Sequence, residues 1–195
     1  MKIFENAHLL KFLDVNQHNN WEGTPLEKYC SLSTKNKGVY GEMVVEEYMI
    51  TVLKSLVESP TNPGHDRIID GYKTEIKFSL ANSPRKHDIK LICPDEFTFN
   101  HLAQNKDWER FIFFGVNPSF SNPNVRWESE KELPSEIRGY YMTKKDFRKY
   151  MAQANVTTGL FSPQQGGKKG GNDDYMLAGY KKFQKLINLP FVRPS

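Results

Sequence analysis

Residues His65–Leu80 read HDRIIDGYKTEIKFSL and carry the strongest local structural signal in the chain. Asp70-Gly71 is a two-residue turn signal, because a type I′ turn needs positive φ at both positions. A β-branched run precedes this turn and an alternating segment follows it, which predicts a β-hairpin. The core face of its second strand is predicted to hold Tyr72, Thr74, Ile76, Phe78 and Leu80, and the charged face Lys73, Glu75, Lys77 and Ser79.

The turn also determines which residues lie opposite each other across the hairpin. With Asp70-Gly71 as the loop, Asp66 lies opposite Glu75, and opposed Cβ atoms are about 5 Å apart. Two carboxylates at that separation repel unless a cation neutralises them, and Mg²⁺ prefers carboxylate oxygens. Lys77 follows on the same face, so two acids and an amine form a candidate site for metal-assisted hydrolysis. The alternative is a solvent-facing hairpin with scattered charges.

Gly38–Val57 has the clearest helical periodicity. Glu42 lies at the N-terminal end of its apolar stripe. A carboxylate there is favoured by the helix dipole alone, or it is a third acid that points into a site. The stripe consists of Val45, Met49, Val52 and Leu56.

The rest of the chain predicts the remaining elements of an α/β fold with a central mixed sheet flanked by helices. Arg110–Val116 (RFIFFGV) is an apolar run typical of a central strand that is covered on both faces. Thr143–Ala154 is predicted to be a helix with Thr143 as N-cap and Asp146 at N3. Further predicted helices are Met1–Leu13, Asp95–Gln104 and Tyr175–Ile187, and further predicted strands are His87–Cys93 and Val125–Glu128.

Composition favours one globular domain over residues 1–195, since 38% of the residues are apolar and 26% charged. The net charge of +4 mildly favours an anionic partner. Two cysteines make neither a disulfide framework nor a metal cluster, so a reducing, cytoplasmic location is expected. Charges interrupt the apolar N-terminal residues, so neither a signal peptide nor a membrane span is predicted.

Three features together resemble the PD-(D/E)XK nuclease superfamily, which has the restriction-endonuclease-like fold. The hairpin supplies Asp66 and then Glu75-Ile76-Lys77, and Lys37–Glu42 (KGVYGE) matches a K-G-x-x-small-E helix pattern. The order helix, strands, helix, strand is the third feature. His65 stands where a proline normally precedes the first acid. Asp70 competes with Asp66 for that acid, and the register favours Asp66.

The resemblance covers about residues 38–116 and leaves 117–195 as a C-terminal extension for DNA recognition or dimer contacts. It implies a Mg²⁺-dependent endodeoxyribonuclease, in particular a type II restriction endonuclease acting on double-stranded DNA as a homodimer. Asp66 and Glu75 would bind Mg²⁺, Glu42 would complete the site, and Lys77 would activate the attacking water or stabilise the phosphorane. The alternatives are a structure-specific repair nuclease or Holliday junction resolvase, and a non-catalytic nucleic-acid-binding protein with the same fold.

Two basic segments outside that region are candidates for holding DNA. One is the predicted helix after Thr143, and the other is the glycine-rich loop Gln164–Asn172 (QQGGKKGGN). Lysine and arginine neutralise phosphates, and glutamine can read adenine in the major groove. The alternative is an ordinary basic helix face and a solvated loop. The candidate residues are Lys144, Lys145, Arg148, Gln164, Gln165, Lys168 and Lys169.

Overall fold

The computed structural model describes residues 21, 26–82, 92–117, 137–154, 160–163 and 174–188. Within these ranges the chain has a mixed α/β fold with a five-stranded sheet and a three-stranded sheet. No helix in these ranges is long and apolar enough to cross a membrane. The elements in chain order are α1 (Glu27–Cys30), α2 (Thr34–Thr51), β1 (Val57–Glu58), β2 (Arg67–Ile69), β3 (Tyr72–Leu80), β4 (Thr98–Ala103), β5 (Arg110–Val116), β6 (Ile137–Thr143), α3 (Lys144–Ala154), β7 (Ser162–Pro163), β8 (Asp174–Ala178) and α4 (Tyr180–Ile187). The five-stranded sheet has the order β1-β2-β3-β5-β6, and the three-stranded sheet has the order β4-β8-β7.

The predicted hairpin is present with the predicted register. β2 and β3 are antiparallel and pair Arg67 with Thr74. The turn residues Asp70 and Gly71 have φ values of 51° and 82°. The backbone N–H of Asp66 donates to the carbonyl of Thr74 at 3.0 Å, which extends the pairing toward Glu75.

The predicted core face of β3 is largely buried, except at Tyr72, but the charged face is not left to solvent. Tyr72 is 53% exposed, whereas Glu75 and Ser79 on the charged face are buried. β3 lies in the middle of the sheet, and residues from the crossover between β3 and β5 cover its second face: the hydroxyl of Ser79 accepts a hydrogen bond from the backbone N–H of Thr98. Glu75 is therefore an acid in a protein interior.

The crossover corrects another prediction. β3 and β5 are parallel, so the chain must cross over between them. Asp95–Gln104, predicted as a helix, instead contains β4, which pairs with β8 and has a bulge between Phe99 and Leu102. The alternating side chains of Phe97 and Phe99 are buried against Phe183 of α4, as strand residues are.

Helix α2 begins earlier and ends earlier than predicted. The Ser33 side chain caps it by accepting from the N–H of Asn36 at 3.4 Å. Val45 and Met49 are buried as expected, but Val52 and Leu56 are 50% and 64% exposed. The chain leaves the helix after Thr51 and enters β1, which pairs with β2, so the apolar stripe extends only to Met49.

The C-terminal half builds part of both sheets, so Val116 is not a structural boundary. β6, which the sequence did not predict, pairs with β5 in the central sheet. The α3 prediction is confirmed, and the Thr143 hydroxyl accepts from the N–H of Asp146 at 3.1 Å. The helix predicted over Tyr175–Ile187 is instead β8 followed by α4, and Gly179, at φ 94°, separates them.

Buried Asp95 joins the crossover to these C-terminal elements. Its carboxylate accepts hydrogen bonds from Asn117 at 2.8 Å, from Arg138 of β6 at 3.1 and 3.2 Å, and from Gln184 of α4 at 3.1 Å. A buried charge with this many donors is well satisfied.

Four predictions lie largely or wholly outside the described residues. They are the helix Met1–Leu13, the strands His87–Cys93 and Val125–Glu128, and the loop Gln164–Asn172.

Candidate active site

A cleft of about 620 Å³ contains the carboxylates that the sequence singled out. Glu42 reaches it from α2, Asp66 from the residue before β2, and Glu75 from the middle of β3. Lys77 and Lys106 line the same cleft. The hairpin and helix α2 thus bring the four predicted catalytic residues, Glu42, Asp66, Glu75 and Lys77, into one cleft.

A close contact between α2 and β3 determines where Glu42 lies. A Cβ atom on Gly41 would be 2.5 Å from the Cβ of Phe78, closer than real Cβ atoms approach. Only glycine at position 41 therefore lets the helix lie this near the strand. This is the small residue of the K-G-x-x-small-E pattern, and its role is to bring Glu42 toward Glu75.

The two carboxylate oxygens of Glu75 have different hydrogen-bonding environments. Its Oε1 accepts from the ammonium groups of Lys77 and Lys106, both at 2.8 Å. Its Oε2 is buried and has no hydrogen-bond partner among the described residues. A buried acceptor left without a partner is destabilising, so this oxygen is suited to a ligand that brings positive charge.

Asp66 lies beside Glu75 and is held by the backbone. Its Oδ2 accepts from the N–H of Ile76 at 2.7 Å. Burial and then the Glu75 charge raise the pKa of Asp66, and the Ile76 hydrogen bond partly offsets them. The contribution of the Glu75 charge to this raised pKa agrees with the predicted repulsion between the opposed carboxylates.

Glu42 is held mainly by Arg67, a residue that the sequence reasoning missed. The guanidinium of Arg67 binds Glu42 Oε2 at 3.3 Å and Glu46 Oε2 at 2.8 Å. Burial and the Asp66 charge raise the pKa of Glu42, and Arg67 acts against them. Glu42 and Glu46 are four residues apart on one helix face, and such an acidic pair was the available signal for a nearby cation.

The three carboxylates do not form a metal cluster. Among the described residues, no group of three or more His, Cys, Asp and Glu side chains has the geometry to hold a metal ion. Mg²⁺ commonly takes only one or two carboxylates and keeps several waters. Asp66 and Glu75 could supply these two carboxylates, whereas Glu42 in the same cleft is paired with Arg67.

Asp70, the competing candidate for the first acid, has a different role. Its Oδ1 accepts from the N–H of Leu56 at 2.9 Å, which fastens the hairpin turn to the start of β1. Asp70 is absent from the described residues that line the cleft. The geometry therefore favours Asp66.

The predicted DNA-binding residues are only partly described. On α3, Lys145 and Arg148 are exposed. Lys144 is engaged within the protein, because its ammonium donates to the Lys106 carbonyl at 2.6 Å and lies 5.0 Å from the Trp108 ring centroid. The loop candidates Gln164, Gln165, Lys168 and Lys169 lie outside the described residues.

Comparison with known proteins gives no further information. No protein-family description, curated protein or solved structure matches this chain. The site therefore has to be interpreted from its own chemistry.

Proposed function

We propose that this protein is a Mg²⁺-dependent endodeoxyribonuclease of the PD-(D/E)XK type with the restriction-endonuclease-like fold. Within this class of nucleases, we propose a type II restriction endonuclease in particular. The observation that carries the proposal is Glu75, a buried acid with one oxygen on two ammonium groups and the other without a described partner. Asp66 lies beside it in the same cleft.

The residues present fit a divalent cation. Asp66 and Glu75 would hold it, because both are carboxylates and Glu75 Oε2 needs a positively charged partner. When bound, Mg²⁺ supplies Lewis-acid polarisation of the phosphate and lowers the pKa of a bound water. The raised pKa of Asp66 also fits, since crowded acids gain most from a cation.

Lys77 supplies the proton donor and positive charge of the proposed site. Its ammonium is held 2.8 Å from Glu75 Oε1, and its side chain is only 15% exposed. A largely buried ammonium in a cleft can orient a water by hydrogen bonding or stabilise charge that develops on a phosphate oxygen. The Glu75 contact keeps it in place before substrate arrives.

Replacing Lys77 tests the chemistry. Lys77→Met should lower DNA cleavage in Mg²⁺ at least about 100-fold, as loss of one transition-state donor does, and should leave DNA binding in Ca²⁺ nearly unchanged. Lys181→Met is the matched control, because Lys181 is an exposed lysine of α4 and is not among the described residues that line the cleft. Cleavage at the wild-type rate by Lys77→Met would overturn the assignment.

Metal binding is tested without any reaction. Mg²⁺ or Ca²⁺ should raise the melting temperature of the wild type through binding linkage, and Glu75→Ala should lose most of that rise. An equal rise in both proteins would contradict the assignment of Glu75.

The choice of DNA substrate separates the alternatives. Purified protein is incubated with plasmid, phage and branched DNA in Mg²⁺, with EDTA as the control. Discrete bands support a restriction enzyme, and cutting of branched DNA alone supports a resolvase. DNA binding without cleavage of any substrate would indicate the non-catalytic alternative.

A further inference from the structure

Lys106 is a second lysine at the buried acid, and no sequence motif pointed to it. It lies in the connection between β4 and β5, and its ammonium contacts the same Glu75 Oε1 as that of Lys77. The Lys106 side chain is 42% exposed, compared with 15% for Lys77. It therefore extends from the buried acid to the solvent side of the cleft.

The backbone around Lys106 is anchored, so its position is not that of an ordinary surface lysine. Its carbonyl accepts from the ammonium of Lys144 at 2.6 Å. The next residue, Asp107, accepts from Lys73 at 2.7 Å and from Asn62 at 2.8 Å. Contacts from β3, from α3 and from the segment before β2 thus hold this connection against the cleft.

The charges on Glu75 suggest what Lys106 does when a metal binds. One carboxylate holds two ammonium groups in this structure. A divalent cation at Asp66 and Glu75 would add two positive charges beside them, which weakens the hold on at least one ammonium. Lys106 is the more exposed of the two lysines, so it is the one that can turn toward a ligand in the cleft.

We propose that Lys106 is a substrate-binding residue that leaves Glu75 for a phosphate oxygen of the DNA once a divalent cation occupies the site. This inference rests on the proposed nuclease function. It makes the connection between β4 and β5 a wall of the DNA site. It also makes Lys106 and the cation competitors for Glu75.

The competition predicts two effects of opposite sign for Lys106→Met. Ca²⁺ should bind several-fold more tightly, because the competing ammonium is gone, and should give a larger rise in melting temperature. DNA binding in Ca²⁺ should weaken, and the slope of log affinity against log salt should become shallower by about 0.9, the value for one phosphate contact. Replacing a lysine with a purely structural role would not produce both the tighter Ca²⁺ binding and the shallower salt slope.

Two further variants make the test specific. Lys106→Arg keeps the charge and should retain the wild-type salt slope, which also covers the case in which Lys106→Met is poorly folded. Lys181→Met removes an exposed lysine of α4 and should change neither the Ca²⁺ effect nor the slope. Calorimetric Ca²⁺ titration and fluorescence anisotropy with a labelled duplex provide the measurements.

The outcomes separate this inference from the function on which it rests. A wild type that neither binds Ca²⁺ nor cuts DNA overturns the nuclease proposal and the inference together. A wild type that binds and cuts, with a wild-type salt slope and Ca²⁺ affinity in Lys106→Met, overturns the role of Lys106 alone. If Lys106→Arg shows the same shallower salt slope as Lys106→Met, the proposed role of Lys106 is also overturned, because its positive charge would then not account for the effect on DNA binding.

Discussion

Asp66 carries a charge that the folded protein disfavours in the absence of metal. Burial and the Glu75 charge raise its pKa. In the pH range between the ordinary carboxyl pKa and this raised pKa, the folded state binds more protons than the unfolded state. The free energy of unfolding therefore falls as pH rises through that range, and the penalty is fully present above the raised pKa.

Asp66→Asn should consequently stabilise the metal-free protein near pH 8, by up to about 1 kcal/mol, the range of opposed pairs in a sheet. The asparagine oxygen can still accept from Ile76. The advantage should shrink as pH falls toward the ordinary carboxyl range, and it should reverse in Ca²⁺, which benefits only the wild type. Urea unfolding in EDTA and in Ca²⁺ at several pH values measures each part.

Asp107 offers a control of opposite sign. It is exposed, and hydrogen bonds from Lys73 and Asn62 lower its pKa. The ionised Asp107 carboxylate stabilises the folded protein at pH values above the pKa that it has in the unfolded chain, and this stabilisation disappears on acidification. Asp107→Asn should therefore lower the free energy of unfolding at neutral pH. Parallel pH profiles for the two variants would contradict the assigned environments.

The sequence predicted the opposed acids because local geometry determines them. A two-residue turn and the period of two along a strand place Asp66 by Glu75 without any tertiary information. Lys106 lies 31 residues from Glu75, and Arg67 lies 25 from Glu42. Their contacts depend on how the β3–β5 crossover and the helix pack, which no local pattern encodes.

At the level of elements, the contact of α2 with β3 controls the site. The Gly41 position faces the Cβ of Phe78, which is fixed to the strand backbone and cannot rotate away. Any larger residue at position 41 must push the helix off the strand. Glu42 would move with it.

Gly41→Ala should therefore destabilise the protein by roughly 1–3 kcal/mol, as overpacking does. It should also reduce the rise in melting temperature that Ca²⁺ produces if Glu42 contributes to the site. Gly38→Ala is the matched control on the same helix, because nothing lies within 4 Å of the Cβ it would add. Replacing that helical glycine should stabilise by roughly 0.5–1 kcal/mol. Equal effects of the two substitutions would show that the contact with Phe78 is unimportant.

Elements with local signals were predicted, and elements defined by distant partners were not. The hydroxyl of Thr143 caps α3 as its sequence indicated. In and just before β4, the buried residues Phe97, Phe99 and Leu102 are separated by steps of two and three, because a bulge interrupts the strand. Its partner β8 follows some 70 residues later in the chain, so the helical interpretation could not be rejected from the sequence.

Over the whole molecule, α3 lies beside the wall of the cleft that Lys106 forms. Lys144 points inward to the Lys106 carbonyl, whereas Lys145 and Arg148 are exposed. The helix that carries these exposed charges therefore contacts the connection that carries Lys106. We therefore keep Lys145 and Arg148 as candidate phosphate contacts.

The double substitution Lys145→Ala/Arg148→Ala should weaken binding to all DNA sequences in Ca²⁺. It should make the salt slope shallower by nearly two units if both residues touch phosphates. Lys181→Ala/Lys185→Ala on α4 is the control, since it removes equal charge from another helix. An unchanged slope in the α3 variant would make this helix an ordinary solvated face. The roles of Lys168 and Lys169 stay predictions that the same salt series can test.

The hydrogen bonds at Asp95 have a consequence for amide hydrogen exchange. Because Arg138 of β6, Gln184 of α4 and Asn117 after β5 all donate to this buried carboxylate of the crossover, opening any of these segments exposes a charge left with fewer donors. The amides of Ile137–Thr143 and Tyr180–Ile187 should then exchange with deuterium as one cooperative unit. Asp95→Ala should split them into two units with different rates. Helix α4 would thus stabilise the central sheet through Asp95. A chain shortened before Gln184 should therefore lose protection from amide exchange in β6 as well.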